Sequence, residues 1–145
     1  MALWLRFVIA FLLSAVALPA IAQSSPTPRI IALTADKDSR YRQGGRVAPT
    51  IEASPGEHLI LRITAVRAKQ IARDGSVHGL ALLDKDENAV PGWRFYLRPG
   101  VQELEVTAPI QPGRYAAVCI VICSDMHEGM GFTLVVSPSG NTRKE

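Results

Sequence analysis

Apolar and polar positions alternate along several short stretches of this chain, and turns rich in proline and glycine separate these stretches. In His58–Val66, for example, Leu59, Leu61 and Ile63 alternate with mostly polar neighbours, which is typical of a strand with one buried face. Read in this way, the sequence predicts eight strands, at Arg29–Ala35, Val47–Ala53, His58–Val66, Val77–Leu83, Trp93–Leu97, Val101–Thr107, Arg114–Ile120 and Met130–Ser137. Short strands at this spacing are typical of an all-β antiparallel sandwich or barrel.

The first 22 residues are predicted to be a signal peptide. Arg6 precedes the apolar run Phe7–Leu18, Pro19 ends that run, and Ala20-Ile21-Ala22 has the small-x-small form of a signal-peptidase site. The run is shorter than the about 20 apolar residues of a membrane-spanning helix. Cleavage after Ala22 would place the mature chain in the periplasm or outside the cell. The alternative is an uncleaved segment that anchors the chain to a membrane.

The rest of the chain is interpreted as one domain with short extensions. Residues 23–28 are predicted to be an extended tether, residues 29–137 the domain and residues 138–145 a flexible tail. Residues 65–73 favour a helix by composition but have no strong cap, so they are predicted to form a loop or a single helical turn.

Composition narrows the class of protein. Apolar residues make up 48% of the chain and charged residues 20%, which fits a packed core and excludes wholesale disorder. The net charge of +3, without a long Lys/Arg run, is too small to indicate a nucleic-acid partner or a membrane-surface protein. With two cysteines, the chain is neither a multi-disulfide mini-protein nor the sole source of a four-thiolate metal site.

The segment Cys119–Met130 holds most of the candidate metal ligands. It reads C-x3-C-x3-H-x2-M, and its four candidate ligands are Cys119, Cys123, His127 and Met130. The segment joins two predicted strands and is therefore a loop, where binding residues concentrate. Thiolate, imidazole and thioether together suit copper better than magnesium or calcium, and the thioether disfavours zinc.

A second histidine is needed to complete such a site, and there are two candidates. His78 begins a predicted strand, and the following Gly79 permits a close approach of the backbone. His58 begins a different strand after a Pro-Gly turn. His78 is the better candidate, because it fits a position at the same end of the sandwich as the loop.

This pattern resembles the binuclear copper A domain shared by subunit II of cytochrome c oxidases and by nitrous oxide reductases. Pro112-Gly113-Arg114-Tyr115 resembles the P-G-x-Y approach strand of that family, and Val77-His78-Gly79-Leu80 resembles its upstream histidine strand. Ala89-Val90-Pro91-Gly92 resembles the turn between them, so the likeness spans residues 29–137. The resemblance implies a cupredoxin-like Greek-key β-sandwich of about seven to eight strands.

The resemblance also implies a role for each matching side chain. Cys119 and Cys123 would bridge two copper ions through their sulfurs, and His78 and His127 would each cap one copper. Met130 would be a weak axial ligand of one ion.

The chain departs from the family at three points. The backbone carbonyl of Val121 would be the weak ligand of the second copper, where the family often has Glu, Gln or Trp. Because only the carbonyl binds, this change is expected to be harmless. A glycine often follows the second cysteine in the family, whereas this chain has Ser124, which is expected to strain the turn slightly. The transmembrane hairpin of the oxidase subunit has no counterpart in this sequence.

The function implied is one-electron transfer by an exported copper protein, either as a carrier or as the electron-entry module of a larger oxidase or reductase. Its partner would be a redox protein such as a cytochrome, or an oxidase or reductase subunit, and the chain is not expected to be catalytic alone. Two alternatives stay open. One is a copper delivery or storage protein. The other is a mononuclear type 1 copper protein that uses Cys123, His78, His127 and Met130, with Cys119 as a bystander. For the two cysteines, the alternative to metal binding is a plain disulfide between them.

Overall fold

The computed structural model describes residues 27–138, so the predicted signal peptide, most of the tether and most of the tail lie outside the described residues. The described chain forms ten strands: β1 Arg29–Ala35, β2 Tyr41–Gln43, β3 Arg46–Val47, β4 Thr50–Ala53, β5 His58–Ala65, β6 His78–Leu83, β7 Ala89–Leu97, β8 Gly100–Thr107, β9 Gly113–Val118 and β10 Gly131–Val136. One short 3₁₀ turn, His127–Gly129, precedes β10. The all-β prediction is confirmed. Within residues 27–138, no helix is long and apolar enough to span a bilayer.

The strands form two five-stranded sheets that pack face to face. Their strand orders are β3-β2-β1-β5-β8 and β4-β10-β9-β6-β7. The prediction of a wholly antiparallel sandwich is wrong for two pairs, because β1 lies parallel to β5 and β4 lies parallel to β10. Between β1 and β5 the chain crosses to the second sheet at β4 and returns, so that β5 enters the first sheet in the direction of β1.

One predicted strand, Val47–Ala53, is divided between the two sheets. Val47 ends β3 in the first sheet, and β4 begins at Thr50 in the second. Ala48, between them, has a φ of 46°, in the left-handed region, and Pro49 has no backbone N–H to donate to a ladder. The short strands β2 and β3 were not predicted, since they are too brief to show a period of two.

The core lies between the sheets and follows the predicted alternation. Along β5, Leu59, Leu61 and Ile63 are buried. Trp93 is also buried, and its Nε1–H donates to the Thr107 carbonyl at 2.8 Å. Val101 in β8 is 65% exposed. It lies three positions before Leu104, so its side chain points to the opposite face of the strand.

Candidate metal centre

Three candidate ligands meet in one buried cluster at an end of the sandwich. The sulfurs of Cys119 and Cys123 and a ring nitrogen of His78 all lie within 4.8 Å of one another. The two sulfurs are 3.9 Å apart, and both cysteines are free thiols rather than a disulfide. All three side chains are buried. The cluster therefore joins the C-terminal loop to a strand that begins about 40 residues earlier.

The loop that carries the cysteines is closed at its base. The Cys119 N–H donates to the Met130 carbonyl at 2.9 Å, which ties the end of β9 to the start of β10. A Cβ at Gly131 would lie 2.4 Å from the Ala117 carbonyl oxygen, so only glycine permits this approach of the two strands. Farther along the loop, the Cys123 carbonyl accepts the N–H of Gln70 at 2.9 Å. The cysteines are therefore held from both sides.

The segment that contains Gln70 is an irregular loop between β5 and β6. The single helical turn offered as one possibility for residues 65–73 does not form, and the loop alternative is the one observed.

Gly79 brings the histidine strand against this loop. A Cβ at Gly79 would lie 2.6 Å from Ile120 Cγ1 and 3.0 Å from Val121 Cγ2. Without that Cβ, the Gly79 N–H reaches Cys119 Sγ at 3.4 Å. The Gly79 carbonyl accepts the hydroxyl of Tyr41 at 2.7 Å, and this hydroxyl is itself buried. The close approach expected from the sequence is therefore present, and it is directed at a cysteine sulfur.

His78 presents an unpartnered nitrogen inside the protein. Its Nε2 lies 2.7 Å from the Val66 carbonyl, which can only accept, so Nε2 carries the proton and Nδ1 carries a lone pair. Among the described residues, Nδ1 is the buried side-chain nitrogen or oxygen without a hydrogen-bond partner. Burial lowers the pKa of His78, which favours the neutral ring. A buried lone pair without a partner is costly unless it binds something.

The chemistry of these donors fits copper. Sulfur and imidazole are ligands that copper prefers. A single ion at a thiolate bond length of about 2.3 Å could contact both sulfurs, since they are closer together than twice that length. Burial raises the pKa of Cys119 to about 11, so its thiol stays protonated until a cation displaces the proton. That thiol now donates to the Val121 carbonyl at 3.3 Å, which places the carbonyl beside the cluster.

The predicted ligands Met130 and His127 lie in the loop between β9 and β10. Met130 is buried immediately before β10. His127 is half-buried in the 3₁₀ turn, and its Nδ1 lies 2.9 Å from the Ser124 carbonyl. Among the described residues, the group of close donor atoms includes His78, Cys119 and Cys123 but not His127. The rejected candidate His58 is exposed on β5, with its Nδ1 3.4 Å from Thr107 Oγ1.

Ser124 does not strain its turn, contrary to the expectation. The described non-glycine residues with positive φ are Ser39, Ala48 and Glu87, so Ser124 has no left-handed backbone that would favour glycine. Its Oγ accepts the Met126 N–H at 3.1 Å and lies 2.6 Å from Ser39 Oγ. Sequence reasoning missed Ser39, because no local pattern marks a contact between residues 85 positions apart.

No protein-family model matches the sequence, and no curated protein matches it. Several solved structures resemble the fold. Auracyanin B aligns with a TM-score of 0.53 and 18% identity, over 79% of this chain and 94% of its own. Auracyanin A, a "blue" copper protein from the green thermophilic photosynthetic bacterium Chloroflexus aurantiacus, aligns with a TM-score of 0.50 and 17% identity, over 77% and 100%. A variant of rusticyanin aligns with a TM-score of 0.50 and 14% identity, over 77% and 79%.

At these identities the likeness establishes the fold and leaves the type of metal site open. The two mixed sheets and the placement of the loop between β9 and β10 agree with it. The chain has the cupredoxin fold.

Proposed function

We propose that this chain is an exported copper-binding electron-transfer protein with a binuclear copper A-type site, similar to the soluble domain of cytochrome c oxidase subunit II. The proposed ligands are His78, Cys119, Val121, Cys123, His127 and Met130. Bound copper would supply a one-electron couple. Export is proposed from the predicted signal peptide, residues 1–22, with cleavage after Ala22.

The observation that carries this proposal is the position of Cys119. In a mononuclear type 1 site that used Cys123, Cys119 would have no role. Instead, its sulfur lies 3.9 Å from Cys123 Sγ, and the Gly79 N–H is directed at it. Because both sulfurs lie in the same buried cluster, their arrangement favours a site that uses both.

The histidines support the same ligand set. Each donates one ring N–H to a backbone carbonyl, His78 to Val66 and His127 to Ser124. Metal-binding histidines commonly have this arrangement, because it fixes the tautomer and leaves the other nitrogen as a ligand. His78 Nδ1 and His127 Nε2 are the nitrogens left over.

The surroundings favour electron transfer over catalysis. The loop is tied to β10, to Gln70 and to the Gly79 strand, so the ligand positions resist change. Ligands that move little on a change of redox state allow fast one-electron exchange. The cysteines and His78 are buried, which keeps water from these donors.

The redox partner would dock over the loop. Ile122 is 65% exposed and Met126 is 57% exposed, both within the loop. Ile122 also lines a surface depression with Ile71 and Tyr96. Exposed apolar side chains beside a buried redox site give a partner a short path to it.

Copper stoichiometry tests the proposal. The reduced protein is loaded with copper, freed of excess and analysed for copper per chain, beside Cys119→Ser and the exposed control His58→Ala. We expect two ions in the wild type and in His58→Ala, and loss of the two-ion site in Cys119→Ser. One ion per chain in both the wild type and Cys119→Ser would favour the mononuclear alternative.

Copper delivery is the second candidate, and one observation favours it. With the His127 ring outside the cluster, the donors that meet are two sulfurs and one nitrogen, a soft set that suits Cu(I). Delivery predicts that a competing chelator removes the metal quickly and that no reversible redox couple is seen. Electron transfer predicts slow removal and a reversible couple.

A further inference from the structure

The β1–β2 hairpin brings a serine to the metal centre from a distant part of the sequence. Ser39 is 0% exposed, and its Oγ lies 3.4 Å from Cys123 Sγ and 2.6 Å from Ser124 Oγ. Ser39 and Cys123 are 84 positions apart. The Cys123 sulfur therefore has a hydroxyl neighbour that its own loop does not supply.

The turn that carries Ser39 does not itself require a serine. Ser39 has a φ of 56°, and a second turn of the same design has Glu87 at a φ of 62°. In both turns one aspartate Oδ1, that of Asp36 or of Asp84, accepts two backbone N–H groups. Glu87 is exposed, whereas Ser39 is buried. The Ser39 hydroxyl therefore serves contacts outside its turn.

Cys123, Ser39 and Ser124 form a row of side-chain contacts, and each hydrogen bond in the row can have either atom as its donor. The Cys123 thiol donates to Ser39 Oγ in the structure. A thiolate, which is the metal-binding form, can only accept, so this contact stays a hydrogen bond when the Ser39 hydroxyl donates to the sulfur. The Ser124 hydroxyl in turn donates to Ser39 Oγ, while Ser124 Oγ still accepts the Met126 N–H at 3.1 Å. With Cys123 as a thiolate, both hydroxyl hydrogens of the row have an acceptor.

We infer that Ser39 is a positioning residue for the metal centre, and that its hydroxyl donates to the Cys123 thiolate and raises the reduction potential of bound copper. The inference rests on the proposed function. A donor to sulfur stabilises the state with more negative charge on that sulfur, which is the reduced state. The Gly79 N–H has the same relation to Cys119, but it is a backbone group, whereas the Ser39 hydroxyl is removed by substitution.

The substitution Ser39→Gly tests the inference in the full chain. It removes the hydroxyl and suits a left-handed backbone, so the fold is expected to hold. Glu87→Gly is the matched control, because it introduces glycine at a similar left-handed φ in an exposed turn away from the cluster. We expect Ser39→Gly to lower the midpoint potential and to weaken Cu(I) affinity about tenfold. Glu87→Gly should change neither.

The outcomes separate this inference from the proposed function. If Ser39→Gly binds two copper ions at the potential of the wild type, Ser39 has no such role and the proposed function stands. If the wild type binds no copper, the proposed function fails instead.

A second measurement needs no copper. In the reduced, metal-free full chain, infrared spectra resolve the thiol S–H stretching bands, which Cys119→Ser and Cys123→Ser assign. Because the Cys123 thiol donates to Ser39 Oγ, its band should move to higher frequency in Ser39→Gly and stay in place in Glu87→Gly. A Cys123 band that does not move in Ser39→Gly would overturn the inference.

Discussion

Substitution of Gly79 by alanine tests how the histidine strand and the loop fit together. The new Cβ would lie 2.6 Å from Ile120 Cγ1 and 3.0 Å from Val121 Cγ2. Carbon atoms in contact ordinarily lie about 3.5–4.0 Å apart, so the first distance is too short by about 1 Å. Neither atom is the far end of a long side chain, so β6 or the loop must move.

The expected cost follows from this overlap. Overpacking of this kind destabilises a protein by about 1–3 kcal/mol. For a domain of this size, at roughly 4 °C per kcal/mol, the melting temperature should fall by about 4–12 °C. The shift should also weaken copper binding, because the Gly79 N–H and its neighbour Cys119 Sγ would separate.

The assay is thermal unfolding of the reduced, metal-free protein, followed by copper loading. Gly129→Ala is the matched control, since a Cβ at Gly129, in the same loop region, would meet nothing within 4 Å. If Gly79→Ala melts at the temperature of Gly129→Ala, the close approach of β6 to the loop is not present in solution.

Two further predictions concern groups around the site and at the far end of the sandwich. Tyr41→Phe removes the buried hydroxyl that donates to the Gly79 carbonyl at 2.7 Å. Because the carbonyl loses its partner, the free energy of unfolding measured in urea should fall by about 1–3 kcal/mol. An unchanged free energy of unfolding would contradict this contact. The hydrogen bond from Arg29 lowers the pKa of Glu57. The stability that this hydrogen bond adds is present above the unfolded pKa of about 4.3 and is lost as the pH falls through the lower folded pKa. The difference in free energy of unfolding between the wild type and Glu57→Gln should therefore shrink between pH 7 and pH 3. A difference that stays constant would refute this prediction.

Much of the fold could be predicted because local sequence patterns determine where the strands lie and which faces they bury. The alternation along β5 gives its buried face directly, and the glycine after His78 indicates a close approach before any partner is known. The division of Val47–Ala53 between two sheets could not be read in the same way. It depends on which strand each half pairs with, and the partner of β4 is β10, near the other end of the chain.

The candidate site was predictable in its chemistry and less so in its arrangement. The sequence identifies a group of soft donors, because the thiols of Cys119 and Cys123 and the imidazole of His127 lie within one loop. The direction of the His127 ring depends on a hydrogen bond to the Ser124 carbonyl, which no spacing reveals. Ser39 was missed for a related reason, because only folding brings it to Cys123.

The proposed site has two copper ions, held by Cys119 and Cys123 together, that share one electron. Paramagnetic resonance of the copper-loaded protein, with one unpaired electron per pair of ions, is the decisive measurement. We expect hyperfine splitting from two equivalent copper nuclei in the wild type and its loss in Cys119→Ser. Splitting from a single copper nucleus in the wild type, unaltered in Cys119→Ser, would rule out the binuclear site.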